Sequence, residues 1–228
     1  MNREFHRKIR SFVRREGRIT RAQQEALVRL GSSYIISEGD LRDLDQVFRR
    51  RAPRALEIGF GMGDALAAMA KTHPHIDYLG IEVHRPGIGS LLLKLEQEAL
   101  DNVRIVCGDA VEVMSHNLPD ASLDAVYLFF PDPWPKKRHH KRRIVQAAFV
   151  GMVRRKLRPG GVFHMATDWE DYARCMLTVM EATPGYENAA GSGAFSPRPL
   201  DRPLTNFEQR GRRLGHEVRD LVFIRTSR

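Results

Sequence analysis

From Pro53 onward the chain alternates short apolar runs with amphipathic stretches of helical period. The apolar runs Arg54–Ile58, Tyr78–Val83, Val103–Cys107, Leu123–Phe130 and Gly161–Ala166 read as strands. Between them, Asp64–Lys71, Gly87–Leu100, Lys141–Leu157 and Tyr172–Ala182 read as helices, with Leu91, Leu92 and Leu95 on one face of the second. This β-α alternation predicts an α/β fold, a doubly wound, mainly parallel, Rossmann-like sheet with helices on both faces. Val218–Thr226 has strand character but no following helix, and a Pro- and Gly-rich stretch from Gly191 to Pro203 precedes it. An antiparallel C-terminal strand is therefore expected. Before Pro53 the pattern is weaker, with short helical periods in Gln23–Leu30 and in Asp40–Arg51, where Leu41, Leu44, Val47 and Phe48 recur. The expected division is a basic N-terminal extension, residues 1–50, ahead of one domain, residues 51–228.

Charge changes this picture. Lys and Arg number 37 against 28 Asp and Glu in 228 residues, a formal net charge of +9. Such a balance favours a polyanionic partner but is silent on fold. No apolar run approaches the roughly 18 residues of a membrane span, and the first residues lack the apolar core of a secretory signal. No membrane association is expected. Cys107 and Cys175 sit in apolar surroundings and are expected to be buried free thiols, which fits a reducing cytoplasm. Arg10, Arg14, Arg15, Arg18 and Arg21 could form an RNA-facing arm or a solvated tail. The sequence leaves monomer and dimer open.

In open sheets of this type, ligands bind outside the carboxyl ends of the strands. The first strand runs into Glu57-Ile58-Gly59-Phe60-Gly61-Met62-Gly63, the second ends at Glu82, the third at Gly108-Asp109, the fourth at Asp132 and the fifth at Asp168. Gly59, Gly61 and Gly63 permit a tight turn and close approach of a ligand to the backbone. Their spacing is G-x-G-x-G, and Asp64 occupies the position that would complete a dinucleotide fingerprint. Glu57 suits a cationic ligand better than a pyrophosphate, Glu82 could accept ribose hydroxyls, and Asp109 could receive an adenine amino group. A ligand carrying a sulfonium, an ammonium, a ribose and an adenine satisfies this row, which points to S-adenosyl-L-methionine as cofactor.

The fourth strand continues into Phe130-Pro131-Asp132-Pro133-Trp134-Pro135, and then into an unbroken cationic run: Lys136, Lys137, Arg138, His139, His140, Lys141, Arg142 and Arg143. Phe129 and Phe130 read as strand core, and the prolines fix φ around Asp132. Taken alone, the run is a solvated face or a helix start. Beside Asp132 it reads as a set of phosphate contacts, and four neutralised phosphates would give a salt slope of roughly −3.6 on duplex-like RNA. His139 and His140 have no acid or cysteine at ligand spacing, so no metal is expected. Trp134 could stack on a base or pack against its prolines. Thr205-Asn206-Phe207-Glu208 has the spacing of a helix capping box.

Taken together, EIGFGMG (57–63), GIEVHRPG (80–87), GDA (108–110), FPDPWPKKRHHKRR (130–143), TDW (167–169) and TNFE (205–208) resemble the bacterial tRNA (guanine-N7-)-methyltransferase family. The likeness runs from about Arg10 to the carboxyl terminus. It implies a class I methyltransferase fold, S-adenosylmethionine as donor, and N7 of a guanine in the tRNA variable loop (position 46) as acceptor. It also implies cofactor contacts at Glu57, Glu82, Asp109 and Asp132 and substrate contacts at Lys136, Asp168 and Thr205 through Glu208. Arg138, His139, His140, Lys141, Arg142 and Arg143 are implied as RNA contacts.

Guanine N7 carries an in-plane lone pair and no proton, so its methylation needs no general base. Positive charge moves from sulfur to the base, and a fixed carboxylate can follow it. Asp132 is the expected catalytic residue, with Asp168 second. Two rival readings remain. An amino-group RNA or DNA methyltransferase would carry a second proline before the aromatic, where this chain has Asp132-Pro133-Trp134. A non-catalytic RNA-binding module would have lost the glycine turn or the strand-end acids, and both are present.

Overall fold

The computed structural model describes residues 11–12, 17–205, 208–209, 211, 215 and 217–227. Its strands are β1 (Arg54–Ile58), β2 (Asp77–Glu82), β3 (Val103–Cys107), β4 (Leu123–Phe129), β5 (Leu157–Thr167), β6 (Tyr186–Asn188) and β7 (Arg219–Arg225). They form one sheet in the order β3-β2-β1-β4-β5-β7-β6. β1 to β5 run parallel, β7 runs antiparallel beside β5, and β6 pairs antiparallel with β7. The strand order reverses between β1 and β4, which opens a crevice at their carboxyl ends.

The helices are α1 (Arg21–Tyr34), α2 (Leu44–Phe48), α3 (Asp64–Thr72), α4 (Arg85–Gln97), α5 (Ala110–His116), α6 (Ala147–Lys156) and α7 (Glu170–Glu181). Successive strand residues face opposite sides, and the core divides accordingly. Leu56, Leu79 and Val126 pack with α2, α5, α6 and α7, whereas Ala55, Tyr78 and Ile105 pack with α1, α3 and α4. Every residue of β2 is buried, as a parallel strand covered on both faces requires.

Residues 21–48 are part of this core. Ala26 of α1 is fully buried in one layer, and Leu41, Leu44 and Phe48 are buried in the other. Gly89 of α4 lets α1 approach closely, since a Cβ there would lie 2.8 Å from the Gln23 carbonyl oxygen. Arg10, Arg14 and Arg15 of the proposed RNA arm lie outside the described residues.

Elsewhere the structure departs from the expected elements at identifiable places. Lys137–Arg142 is a 3-10 helix, and α6 starts only at Ala147. α5 and β6 were not expected. Phe129 ends β4 and is buried, but Phe130 leaves the strand with a left-handed φ of 52°. Cys107 and Cys175 are free thiols, but neither is buried: Cys107 is exposed and Cys175 half-buried. Cys107 closes β3 at its carboxyl end and opens onto the cavity described next.

Candidate active site

The crevice at the strand ends holds a cavity of about 850 Å³. Its wall includes Gly59, Gly61, Glu82, Asp109, Phe130 and Asp132, so residues from the ends of four strands meet there. The glycine turn that follows β1 has φ values of 69°, 57° and 79° at Gly59, Gly61 and Gly63, a region costly for residues with a Cβ. Gly63 also packs on Leu91, whose Cβ lies 2.7 Å from where a Gly63 Cβ would stand.

Glu82 fixes this turn. Its Oε2 accepts from the Gly61 N–H at 2.9 Å, and its Oε1 accepts from Val83 N–H at 2.6 Å and His84 N–H at 2.9 Å. The side chain is buried yet still lines the cavity, which leaves lone-pair capacity for a ligand. A second residue holds the turn and carried no obvious sequence label. A Cβ on Gly87, in the first turn of α4, would lie 2.1 Å from the Gly61 carbonyl oxygen. Its signal is a glycine directly after the helix-starting proline Pro86.

Glu57 is the most unusual acid. It is 3% exposed, stands beside the lining residue Ile58 without itself reaching the cavity wall, and its Oε2 has no hydrogen-bond partner among the described residues. Burial, then the neighbouring carboxylates of Glu82 and Asp64, push its pKa up to about 8. A buried carboxyl without a partner is costly. A cation nearby would remove that cost, so the donor set fits a positively charged ligand. Asp109 caps α5, accepting from the Val111 N–H through Oδ1 at 3.0 Å, and it also lines the cavity. The spacing of Asp109 and Glu112 around that helix start was a readable signal for α5.

Asp132 is exposed on the cavity rim and, among the described residues, has no hydrogen-bond or ion-pair partner. Its loop is held by unusual means. Phe130 and Trp134 both adopt left-handed φ, at 52° and 46°, each costing roughly 1 kcal/mol for a non-glycine residue. Arg143 offsets this from below. It is 4% exposed, its Nε donates to the Pro133 carbonyl at 2.9 Å, its Nη2 pairs with Asp171, and its guanidinium lies 4.8 Å from the centre of the Tyr172 ring. Arg143 thus turns inward, away from the cationic face to which it was assigned.

The other residues of the run stay outside. Lys136, Arg138 and Lys141 are exposed, while His139, His140 and Arg142 are half-buried. The Arg142 guanidinium covers the Trp134 ring at 4.9 Å, His139 meets that ring edge-on at 5.9 Å, and the indole N–H donates to the Ser11 carbonyl at 3.0 Å. Partial burial, followed by Arg138, Arg142, Lys136 and Lys141, holds the His139 pKa below its ordinary value.

Asp168 stands apart from Asp132. It lines a separate cavity of about 380 Å³ with Trp169, Glu217 and Arg219. Thr205 Oγ1 accepts from the Glu208 N–H at 3.1 Å, the bond a helix cap makes. The Glu208 side chain is buried and paired with Arg202. Asn206 and Phe207 lie outside the described residues. Among the described residues no three His, Cys, Asp or Glu side chains cluster as metal ligands, and no helix is long and apolar enough to cross a membrane.

Comparison with known proteins adds to this geometry. A family model described as "Putative methyltransferase" matches residues 51–221. The chain is 58% identical over 219 residues to the tRNA (guanine-N(7)-)-methyltransferase of Pseudomonas putida (strain W619), covering 96% of this chain and 91% of that one. It is 58% identical to the protein of that name from Alkalilimnicola ehrlichii, covering 95% and 92%. For that from Hydrogenovibrio crunogenus the identity is 55%, covering 97% and 93%. Among solved structures, the 16S rRNA methyltransferase KamB superposes with a TM-score of 0.58 at 15% identity, covering 80% of this chain and 92% of that chain. The aminoglycoside resistance methyltransferase NpmB1 gives 0.54 at 16% identity, with the same coverage. At such identities these two similarities speak for the fold alone.

Proposed function

Because the chain belongs to the tRNA (guanine-N(7)-)-methyltransferase family, we propose that the cavity at the ends of β1 to β4 holds the methyl donor and that Asp132 serves the reaction at its rim. The enzyme transfers a methyl group from S-adenosylmethionine to guanine N7 of tRNA. The acceptor is the variable-loop guanine at position 46, and the reaction belongs to the cytoplasm. Residues 51–228 form the transfer domain, and residues 1–50 an extension whose described helices pack on it.

When bound, S-adenosylmethionine supplies an electrophilic methyl group on a positively charged sulfur. Gly59, Gly61 and Gly63 let it approach the backbone, Glu82 accepts from the ribose through its remaining lone pair on Oε2, and Asp109 takes the adenine amino group. Glu57 ionises next to the cationic ligand and so loses the penalty of its burial. Asp132 accepts from the guanine N1 and N2 hydrogens and follows the positive charge that develops on the purine. No side chain has to remove a proton, because N7 carries none. Lys136, Arg138, His139, His140, Lys141 and Arg142 meet the RNA, the cationic members of the set pairing with its phosphates. Arg143 braces the loop that they stand on. Asp168, Thr205, Asn206, Phe207 and Glu208 complete the substrate side.

The observation that carries this reading is the position of Asp132, a carboxylate without a partner among the described residues, where the donor cavity meets the cationic 3-10 helix. The test is incubation with unmodified tRNA and methyl-labelled donor, followed by nucleoside analysis. We expect label at guanine N7 and none with Asp132→Ala. Full activity of that variant would refute the catalytic assignment, and label on an exocyclic amine would favour the amino-group reading.

A further inference from the structure

Beneath Phe130 lies a buried ionic network that the proposed reaction does not use directly. Arg202 is 2% exposed, comes from the Pro- and Gly-rich stretch before β7, and reaches three segments at once. Its Nε lies 2.7 Å from Asp220 Oδ1, and its Nη2 donates to Asp220 Oδ2 at 3.1 Å. The same Nη2 lies 3.1 Å from Glu208 Oε1, and Nη1 pairs with Glu208 Oε2. Asp220 in turn sits 2.7 Å from His164 Nε2, and the His164 ring meets Phe129 edge-on at 5.0 Å. The guanidinium is 5.9 Å from the centre of the Phe130 ring. In the sheet, Asp220 is registered opposite Ala166, whose carbonyl accepts the Phe130 N–H at 2.8 Å.

A buried pair contributes little net stability, because desolvation consumes most of the attraction. Two carboxylates around one buried guanidinium, with Arg198 3.8 Å from Glu208 at the edge, make a costly way to fill a core. What the arrangement does supply is geometry. Only a guanidinium offers planar, divergent donors that can engage Glu208 and Asp220 together while lying near an aromatic ring. Glu208 is 1% exposed, so in this arrangement its carboxylate faces Arg202 and not an incoming base.

We propose that Arg202 is a positioning residue of the methyl-transfer site. Through Glu208 it anchors the segment that begins at Thr205. Through Phe130 it sets the backbone two residues ahead of Asp132, so both substrate elements keep one relative placement. Glu208 then serves the substrate side by holding its segment in place, without touching the base itself. This inference rests on the reading of Asp132 and residues 205–208 as the substrate side.

The test uses Arg202→Lys, which keeps the charge and loses the fork. Donor Kd, tRNA Kd and the single-turnover transfer rate are measured on the full-length protein. We expect both Kd values within about twofold of the parent, with transfer slowed by about 10²-fold, the penalty of misplacing reactants by about an ångström. Glu208→Gln, which leaves one oxygen for Arg202, should slow transfer in the same way. Parental rates in folded Arg202→Lys would overturn the proposal. Failure of both variants to bind the donor would also overturn it, because the network would then be scaffold only. Asp132→Ala is run alongside to separate two failures. If it is inactive while Arg202→Lys is fully active, only the role of Arg202 falls. If Asp132→Ala is itself fully active, the reading of the site falls.

Discussion

The two sides of the crevice solve different problems with the same residue types. On the donor side, Glu57 and Glu82 are buried, and Glu82 accepts three backbone N–H groups before any ligand arrives. On the acceptor side, Asp132 and half of the cationic run are exposed, and Asp132 has no partner among the described residues. A small donor brings few contacts, so the protein must assemble the pocket in advance and bear the desolvation cost in its own fold. A tRNA brings many phosphates, and exposed cations gain from each of them without prior order. Carboxylates are thus structural members on one side and waiting acceptors on the other.

The contrast breaks most visibly if equivalent truncations are compared. Glu82→Ala leaves three N–H groups without their acceptor and frees the glycine turn, so a loss of about 3 kcal/mol in denaturant unfolding is expected together with loss of donor binding. Asp132→Ala should leave unfolding within about 0.5 kcal/mol of the parent. Equal losses for the two would erase the distinction. A smaller effect divides the cationic run itself. Arg143→Ala strands the Pro133 carbonyl and should cost about 2 kcal/mol of stability. Arg142→Ala should cost no more than about 1 kcal/mol, from its contact with Trp134, and reduce the salt slope of tRNA binding by about 1.

The finest distinction is one of pH. In the donor-free protein Glu57 keeps its proton up to about pH 8, whereas the unfolded chain releases it near the ordinary value of 4.5. Stability from this group is therefore complete below the lower value and is lost as pH rises through the higher one. A cation that pairs with the ionised form reverses the preference. Donor affinity should rise by about tenfold between pH 6 and 7, beyond any change in Glu57→Gln, with a proton released in calorimetry. A flat parental profile would place Glu57 out of reach of the ligand's charge.

Much of this arrangement was legible in the sequence, for physical reasons that also explain what was not. β1 and β3 fall where their apolar runs fall, because parallel strands buried on both faces have few polar interruptions. Glu82, Asp109 and Asp132 meet at one cavity because parallel β2, β3 and β4 send their carboxyl ends to the same edge. Glu57 stops short of its wall, and Asp168 after β5 lines a separate one. Cys107 was misjudged because its apolar neighbours hid its place as the last residue of the edge strand β3. Residues 21–34 looked like an appendage since α1 buries only Gln23 and Ala26, too narrow a stripe to show in the pattern. Arg143 and Arg202 were unreadable as buried groups. Nothing beside Arg143 in the chain marks it off from its exposed neighbours, and the partners of Arg202 come from segments that only the folded sheet brings together.

The prolines around Asp132 do more than hold its backbone. A proline has no N–H, so positions 131, 133 and 135 offer no backbone donor. Glu82 and Asp109 both settle on amide hydrogens close to them in the chain. Asp132 sits in a stretch stripped of them at every second residue. Its exposed carboxylate therefore takes no amide hydrogen from the described chain and, on the reading proposed above, exchanges water for the hydrogens of the base.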